Sequence, residues 1–583
     1  MSRLVPARNG VIAVWLLLSA GLLFTGWSNV VLRAGWDPDD QLRLVQLRDF
    51  LNGQSWFDNV QYRLNAPYGA PMHWSRLIEL PLAAIIYVLR PMTGQPVAEM
   101  VAGSIVPLAL FGGVIGLLAR VASKAGAPTS GVFAAIIAAT SVPLVMQLQP
   151  MRIDHHGWQI FMAVAALASL FHADARKAGI ALGVALAVWL HISLEGAPMA
   201  AAFFLYLGWR WLVSADEGER LSFAITVFTG ASLLLFFGSQ PKGIGADVFC
   251  DTVSPPHIWA ILTAAAIMLP ALTVAPATRI IRAVVMMLAA AGSGLSIVSL
   301  APDCLGDAFA NLDPLVREYW YANVKEGLPV WQQDGRTASF LLAGPAIGLA
   351  SCILLLCKAK GETIGKLGAI TFFVGYACLL SVFVFRTVSV ASAYAVIPAA
   401  LVAGHLFARF RKATVPTVRI GTVVIILAIL VPGALLNSVL NVVQAKQPSA
   451  DARAEQRAVA CESAASVAKL ARLPQGGILA PFDMGPMILS QTAHQVVASS
   501  HHRNARGMHD HIRIFRSRPD VAYALLKARG INYLAVCAGE EELAFYVKKD
   551  PNGLWGSIER GDVPGWLEAL PQMGEGIKIW RIR

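Results

Sequence analysis

The sequence predicts an α-helical polytopic membrane protein with a soluble α/β domain at its C-terminal end, and three observations predict it. Charge-poor apolar runs of about 20 residues recur along most of the chain, the length a helix needs to cross about 30 Å of hydrocarbon. Basic residues punctuate those runs in alternate loops. From residue 445 onward the long apolar runs stop and charged residues become frequent. Composition agrees, since 56% of the 583 residues are hydrophobic and 14% charged, against roughly a quarter charged in an ordinary soluble chain. Backbone facing lipid must satisfy its own hydrogen bonds, so the apolar runs are helices.

Taken in order, the spans fall near 10–32, 99–120, 129–148, 157–172, 178–193, 198–214, 221–239, 258–277, 281–300, 338–357, 367–385, 389–408 and 419–441, about thirteen helices in all. The first run continues without an A-x-A-like cleavage site and reads as a retained span. The stretch from Leu80 to Leu89 is too short to cross and reads as an interfacial helix closing a long loop. The net charge of +11 invites a nucleic-acid reading, but the basic residues form no stripe with interleaved aromatics, which excludes it. They report topology instead. Short loops with Arg120 and Lys124, Arg176 and Lys177, Arg210 and Arg220, Arg279 and Arg282, Lys358 to Lys366 and Arg409 to Arg419 are placed in the cytoplasm, with the N-terminus. The first long loop, the loop at Asp154, the loop at 302–337 and the whole tail then face outward, as an odd number of spans requires. The expected setting is the plasma (bacterial inner) membrane, with a periplasmic or extracellular tail.

The chain therefore divides into a transmembrane domain, 1–444, and an outward α/β domain, 445–583. The second has strand-like pieces at Gly477–Leu479, Gln495–Ala498, Tyr533–Val536 and Ile577–Ile582, and helical patterns at Ala452–Leu473 and Val521–Ala528. No internal repeat or low-complexity tract is present. Cys352, Cys357 and Cys378 lie within spans, whereas Cys250 with Cys304 and Cys461 with Cys537 fall outside, where an oxidising compartment permits disulfides.

Polar residues gather at five outward places. Asp37-Pro38-Asp39-Asp40 puts three carboxylates in four residues, a composition suited to a hard divalent cation or to a helix start. The same loop continues through Trp56-Phe57-Asp58, Pro67-Tyr68-Gly69 and His73-Trp74-Ser75-Arg76. Asp154-His155-His156 offers a carboxylate and imidazoles to one metal, with an interfacial cap as the plainer alternative. The loop at 302–337 carries Asp303, Asp307, Asp313, Arg317, Glu318, Lys325 and Glu326, and Arg386 ends a span, free to snorkel or to bind phosphate. In the tail, Asp483 precedes a local excess of histidine (His494, His501, His502, His509 and His511) whose spacing matches no tetrahedral zinc signature.

These motifs resemble the outer loops of the catalytic subunit of oligosaccharyltransferases. The first loop is similar through Trp36-Asp37-Pro38, Arg43, Trp56-Phe57-Asp58 and Pro67-Tyr68-Gly69, and Asp154-His155-His156 resembles the Asp-x-His of archaeal members. Asn323-Val324-Lys325-Glu326 is similar to the fifth-loop motif that ends in Glu, with Glu318 as an alternative, and Asp483-Met484-Gly485 resembles the tail motif. The resemblance implies a GT-C fold, with Asp37, Asp154 and His156 holding Mg²⁺ or Mn²⁺ and Arg386 holding the donor phosphate. It makes Asp37, Asp154 and Glu326 the catalytic residues, with Glu326 beside the metal or acceptor. Asp483, Gly485, Trp56 and Trp74 are the candidate acceptor contacts. The chain departs from the family at Pro481, Phe482 and Met484, where aromatic residues recognise the peptide acceptor. The leading expectation is a metal-dependent inverting glycosyltransferase that uses a polyprenyl-phosphate or pyrophosphate donor and a lipid, polysaccharide or protein acceptor. An oligosaccharyltransferase with altered acceptor recognition is the nearest alternative. A transporter or flippase of lipid-linked glycans is the alternative of another class, although its ionisable residues belong near the midplane.

Overall fold

The computed structural model describes residues 4–433 apart from 241, 275–277, 307–308 and 310–311, and residues 460–583 apart from 538. A helix stands at each of the thirteen expected positions, although not each is long enough to span. Among the described residues nine helices are long and apolar enough to cross a membrane. A tenth appears if Pro128–Thr140 and Val142–Leu148, bent by 69°, form one span. The bend falls at Ser141, which is extended, while Pro143 sits in the first turn of the second piece, where its missing N–H costs nothing. His156–Ser169, Ala197–Val213 and Pro416–Leu430, at 14, 17 and 15 residues, are shorter, so the expected count of thirteen spans is not established. Residues 434–441 of the last expected span, the 444/445 domain boundary, residues 452–459 of the expected tail helix and Asp307 lie outside the described residues. The interfacial stretch forms the helix Glu79–Thr93 and packs on Gln95–Ala125.

Small residues bring the helices together, which is how apolar segments associate where lipid removes the hydrophobic drive. The helix Val388–Lys412 runs through the centre and is buried along most of its length. A Cβ on Gly348 would lie 2.4 Å from the Cβ of Ala395 on this helix, so the glycine sets that close approach. Gly179 and Gly183, four residues apart, do the same for Ala175–Ile192 against Gly218–Ser239: a Cβ there would meet Arg220 O at 2.5 Å and Ala224 O at 2.8 Å.

The first outer loop pairs β1 (Val60–Gln61) with β2 (Ala70–Pro71), antiparallel. The tail builds one five-stranded sheet from β3 (Gly477–Leu479), β4 (Gln495–Val496), β5 (Ile531–Val536), β6 (Leu567–Met573) and β7 (Ile577–Ile582), in the order β4-β3-β5-β7-β6. β3 is parallel to β4 and β5, whereas β7 is antiparallel to β5 and β6. The sequence pattern finds four of these strands and misses β6, which holds Pro571; an edge strand tolerates proline because one side of its backbone is unpaired. Both cysteine pairs expected on the outward side are bonded, with Cα–Cα separations of 5.2 Å for Cys250–Cys304 and 5.9 Å for Cys461–Cys537.

The tail shares its core with the membrane half. Leu42, Leu64, Met72 and Trp74 of the first loop pack with Ile478, Ile488 and Ile579, and Val316 and Tyr319 of the 302–337 loop pack with Phe515 and Tyr546. Leu64 bridges Val496, and Arg63 donates to the carbonyls of Leu489, Thr492 and His494 at 2.8, 2.9 and 3.2 Å. These contacts put the outer loops and the tail at one end of the helix bundle.

Candidate active site

Asp37 opens the helix Pro38–Leu51 as its N-cap, its carboxylate accepting from the Asp40 N–H at 3.0 Å, with Pro38 in the first turn. Asp40 is buried and fully committed. Its Oδ1 accepts from the N–H groups of Ile153 and Asp154 at 2.7 and 3.0 Å, and its Oδ2 from Trp36 N–H at 2.9 Å and Arg152 Nη1 at 3.0 Å. Burial pushes the Asp40 carboxyl up to about 6, against the Arg152 charge, which draws it down. Arg152 also donates to Asp37 and pairs with Asp154 at 2.9 Å. One guanidinium thus closes the group made by Asp37, Asp40 and Asp154.

A second group shares Asp154. One ligand atom each from Asp39, Asp154, His155 and His156 lies within 4.8 Å of the others. The turn after Arg152 produces this gathering: Asp154 Oδ1 caps the His156 N–H at 2.9 Å, and the two imidazoles pack with centroids 4.3 Å apart. His155 is held neutral, lowered to about 4 by burial and by the adjacent His156, so its ring nitrogens remain available as ligands. His155 Nδ1 is buried without a hydrogen-bond partner, while Asp154 Oδ2 is ion-paired with Arg152 Nη2 at 2.9 Å. An orphaned imidazole nitrogen at a site of mixed oxygen and nitrogen donors fits a divalent metal. Asp39 faces this group and contacts His501 Nε2 at 3.0 Å. Burial would raise its carboxyl, but that hydrogen bond and the histidine charges hold it well below the usual range.

Arg386 lies in the turn Phe385–Thr387 that joins two helices. Its Nη1 meets Glu195 Oε1 at 2.5 Å and its Nη2 lies 3.8 Å from Glu326. Glu195 is steadied from behind: Gln159 donates to it at 3.2 Å and in turn accepts from Trp189 Nε1 at 3.2 Å. The sequence reading does not single out Glu195. The available signal is an acidic residue in the short turn that follows the span Ala175–Ile192, on the expected outward side. Both groups open on one cavity of ≈ 1370 Å³ whose wall includes Asp37, Asp39, His156, Glu326, Arg386 and Asp483.

The structure is similar to that of archaeal oligosaccharyltransferase AglB from Archaeoglobus fulgidus in complex with an inhibitory peptide and a dolichol-phosphate. The TM-score is 0.64 at 14% identity, covering 90% of this chain and 69% of that one. The apo form of the Archaeoglobus fulgidus oligosaccharyltransferase gives a TM-score of 0.60 at 13% identity, covering 91% and 69%. Its complex with Zn and sulfate gives 0.54 at 12%, covering 90% and 68%. The chain has the GT-C fold. No protein-family model matches the sequence, and no curated protein matches it.

Within this GT-C fold the expected residues separate. The gathering around His156 contains Asp39 and His155 beside Asp154, while Asp37 belongs to the group that Arg152 closes. Trp74 lines the cavity but is buried, with the Arg43 guanidinium 4.6 Å over its ring and His501 edge-on at 5.0 Å. Trp56 is not in the cavity wall; its indole N–H donates to Gly238 O at 2.7 Å and its ring meets Phe50 edge-on, bracing the loop against a helix end. Gly485 is a packing position, since a Cβ there would lie 2.3 Å from Ala498 O. Glu326 faces the cavity, and its alternative Glu318 instead pairs with Lys549 at 2.7 Å.

Proposed function

We propose that the chain is a metal-dependent inverting glycosyltransferase that moves a sugar or oligosaccharide from a polyprenyl-phosphate or pyrophosphate donor to an acceptor on the outward side. One observation carries the reading: a single cavity is lined by Asp39, His155 and His156 of the metal-ligating group and by Arg386. The fold supports it, because the similar AglB structure holds a dolichol-phosphate, and another oligosaccharyltransferase structure holds Zn and sulfate.

Asp39, Asp154, His155 and His156 are the residues that hold the metal. Two imidazoles in the set suit Mn²⁺ better than Mg²⁺, which prefers oxygen and keeps its waters. The metal supplies charge stabilisation for the leaving phosphate oxygens. Arg386 supplies the second cationic contact, its planar fork matched to phosphate, with Glu195 fixing where that fork points. Glu326, half exposed in the cavity, is placed to orient or deprotonate an acceptor hydroxyl or amide. On the acceptor side Phe482 lines the cavity, buried and stacked on His511 at 4.3 Å, while Pro481 and Met484 bring no aromatic ring to it. That arrangement favours an acceptor other than a sequon asparagine, with Asp483 as its remaining polar contact.

The test is transfer of labelled sugar from polyprenyl-linked donors by the full chain in nanodiscs, offered lipid, polysaccharide and peptide acceptors. Chelation is expected to abolish transfer, Mn²⁺ to restore it, and Asp154→Ala or Arg386→Ala to reduce it to background. Transfer that persists under chelation and in Asp154→Ala refutes the reading.

A further inference from the structure

A second cluster of metal-ligating side chains lies in the same cavity, outside the group assigned above. His73 comes from the first outer loop, Asp251 from the loop at 240–254 and His502 from the tail, and one ligand atom of each lies within 4.8 Å of the others. All three line the cavity. His502 Nε2 stands 2.5 Å from Asp251 Oδ2, and the His73 and His502 rings are 4.5 Å apart. His73 Nδ1 is buried and has no hydrogen-bond partner. A buried imidazole nitrogen left unsatisfied beside a second imidazole and a carboxylate needs an account, since such groups are normally paired.

The surroundings hold these three in place. Arg503 grips Asp251 at both oxygens, at 2.9 and 2.6 Å, and lies 3.8 Å over the Phe249 ring. Asp251 follows Cys250, which is tied to Cys304. A ligating carboxylate that is itself hydrogen-bonded, on a cross-linked loop, is the supporting arrangement that metal sites employ. The neighbouring residues His501 and His502 also divide their work: His501 turns to Asp39 of the first group, and His502 to Asp251 of the second.

We propose that His73, Asp251 and His502 form a zinc-type site, separate from the Asp154 group, that joins the tail to two outer loops and leaves a ligand position open to the cavity. Two imidazoles and one carboxylate are three protein ligands of the kind Zn²⁺ accepts, and the fourth tetrahedral position then takes water or a ligand oxygen from the cavity. Arg503 uses one lone-pair direction on each Asp251 oxygen, which leaves Oδ2 free to ligate. Zinc takes the place of the hydrogen between His502 Nε2 and Asp251 Oδ2, and the neutral imidazole then carries its proton on Nδ1. The site does not depend on the proposed glycosyl transfer.

The experiment is zinc content of the full chain in nanodiscs after dialysis against low-micromolar zinc, in wild type, His73→Ala, His502→Ala and Asp154→Asn. The expected result is that both histidine variants hold one zinc equivalent less than wild type, an equivalent that Asp154→Asn keeps, with intact disulfides reporting the fold. Equal zinc in wild type and both histidine variants overturns the site. X-ray absorption on zinc-loaded protein carrying Asp154→Asn, His155→Ala and His156→Ala, which removes the other pair of imidazoles, is a second measurement that leaves His73 and His502 unchanged. A shell with two imidazoles supports the assignment, and a shell of oxygen alone, or no bound zinc, overturns it.

Discussion

Two carboxylate groups share Asp154, and they differ in how far each carboxylate is already paired. Asp37 and Asp40 are consumed by a helix cap, three backbone N–H groups and the Arg152 guanidinium. Asp39, one residue from Asp40 and two from Asp37, points the other way, to His501 and the two imidazoles after Asp154. The first group anchors the Asp154 loop to the start of the helix Pro38–Leu51, with Asp37 still reaching the cavity wall, and the second meets the cavity through Asp39, His155 and His156. Three aspartates in one turn therefore read alike by composition and do different work, because what matters is whether each charge already has its partners.

The largest effect expected from breaking this comparison is Arg152→Met. It strands buried Asp40 and Asp154 without their cation and should cost about 3–5 kcal/mol in thermal or denaturant unfolding of the protein in nanodiscs. A loss well below that means the first group is not held by the arginine. Next is Asp39→Asn, expected to weaken Mn²⁺ binding by at least about 10- to 100-fold in titration calorimetry, the loss seen when even a partner of a ligand is removed. Asp37→Ala should leave Mn²⁺ affinity unchanged and lower stability by roughly 1 kcal/mol, the worth of a helix cap. If Asp37→Ala abolishes binding while Asp39→Asn does not, the two groups have been assigned the wrong way round. The smallest effect lies in the tail, away from both. Burial and the nearby Asp483 charge raise the Glu462 carboxyl to about 7. A carboxyl raised on folding binds its proton in the native state, so its stabilising contribution is full below the unfolded value and is lost as pH climbs through about 7. The tail should unfold more readily at about pH 8 than at about pH 5, and Glu462→Gln should flatten that slope. A wild-type slope of opposite sign breaks the assignment.

Much of the fold is legible because membrane burial is written locally. An apolar run with the charge left out is a property of consecutive residues, and each of the thirteen runs carries a helix. The number of spans is not established, because three helices are short and one is bent, and span length depends on where chain breaks fall. The candidate site was legible as a set of polar places but not as a set of partners. Arg386 was visible, while Glu195, which meets it across 191 residues of sequence, was not. Trp56 and Trp74 carried the same aromatic signal; one bonds a helix end and the other is buried under Arg43.

By itself the sequence determined that this is a multi-pass helical chain, that its polar clusters lie in loops between spans, that a strand-bearing tail follows, and which cysteines were available to pair. Only the tertiary structure decided which aspartates meet Arg152 and which meets His501, that the tail shares a core with the first long loop and the loop at 302–337, and that Arg386 comes with Glu195. The reason is physical. Hydropathy sums over neighbours in sequence, whereas satisfaction of a buried charge is settled pair by pair, here between Asp40 and Arg152 at 112 residues' separation and between Asp39 and His501 at 462.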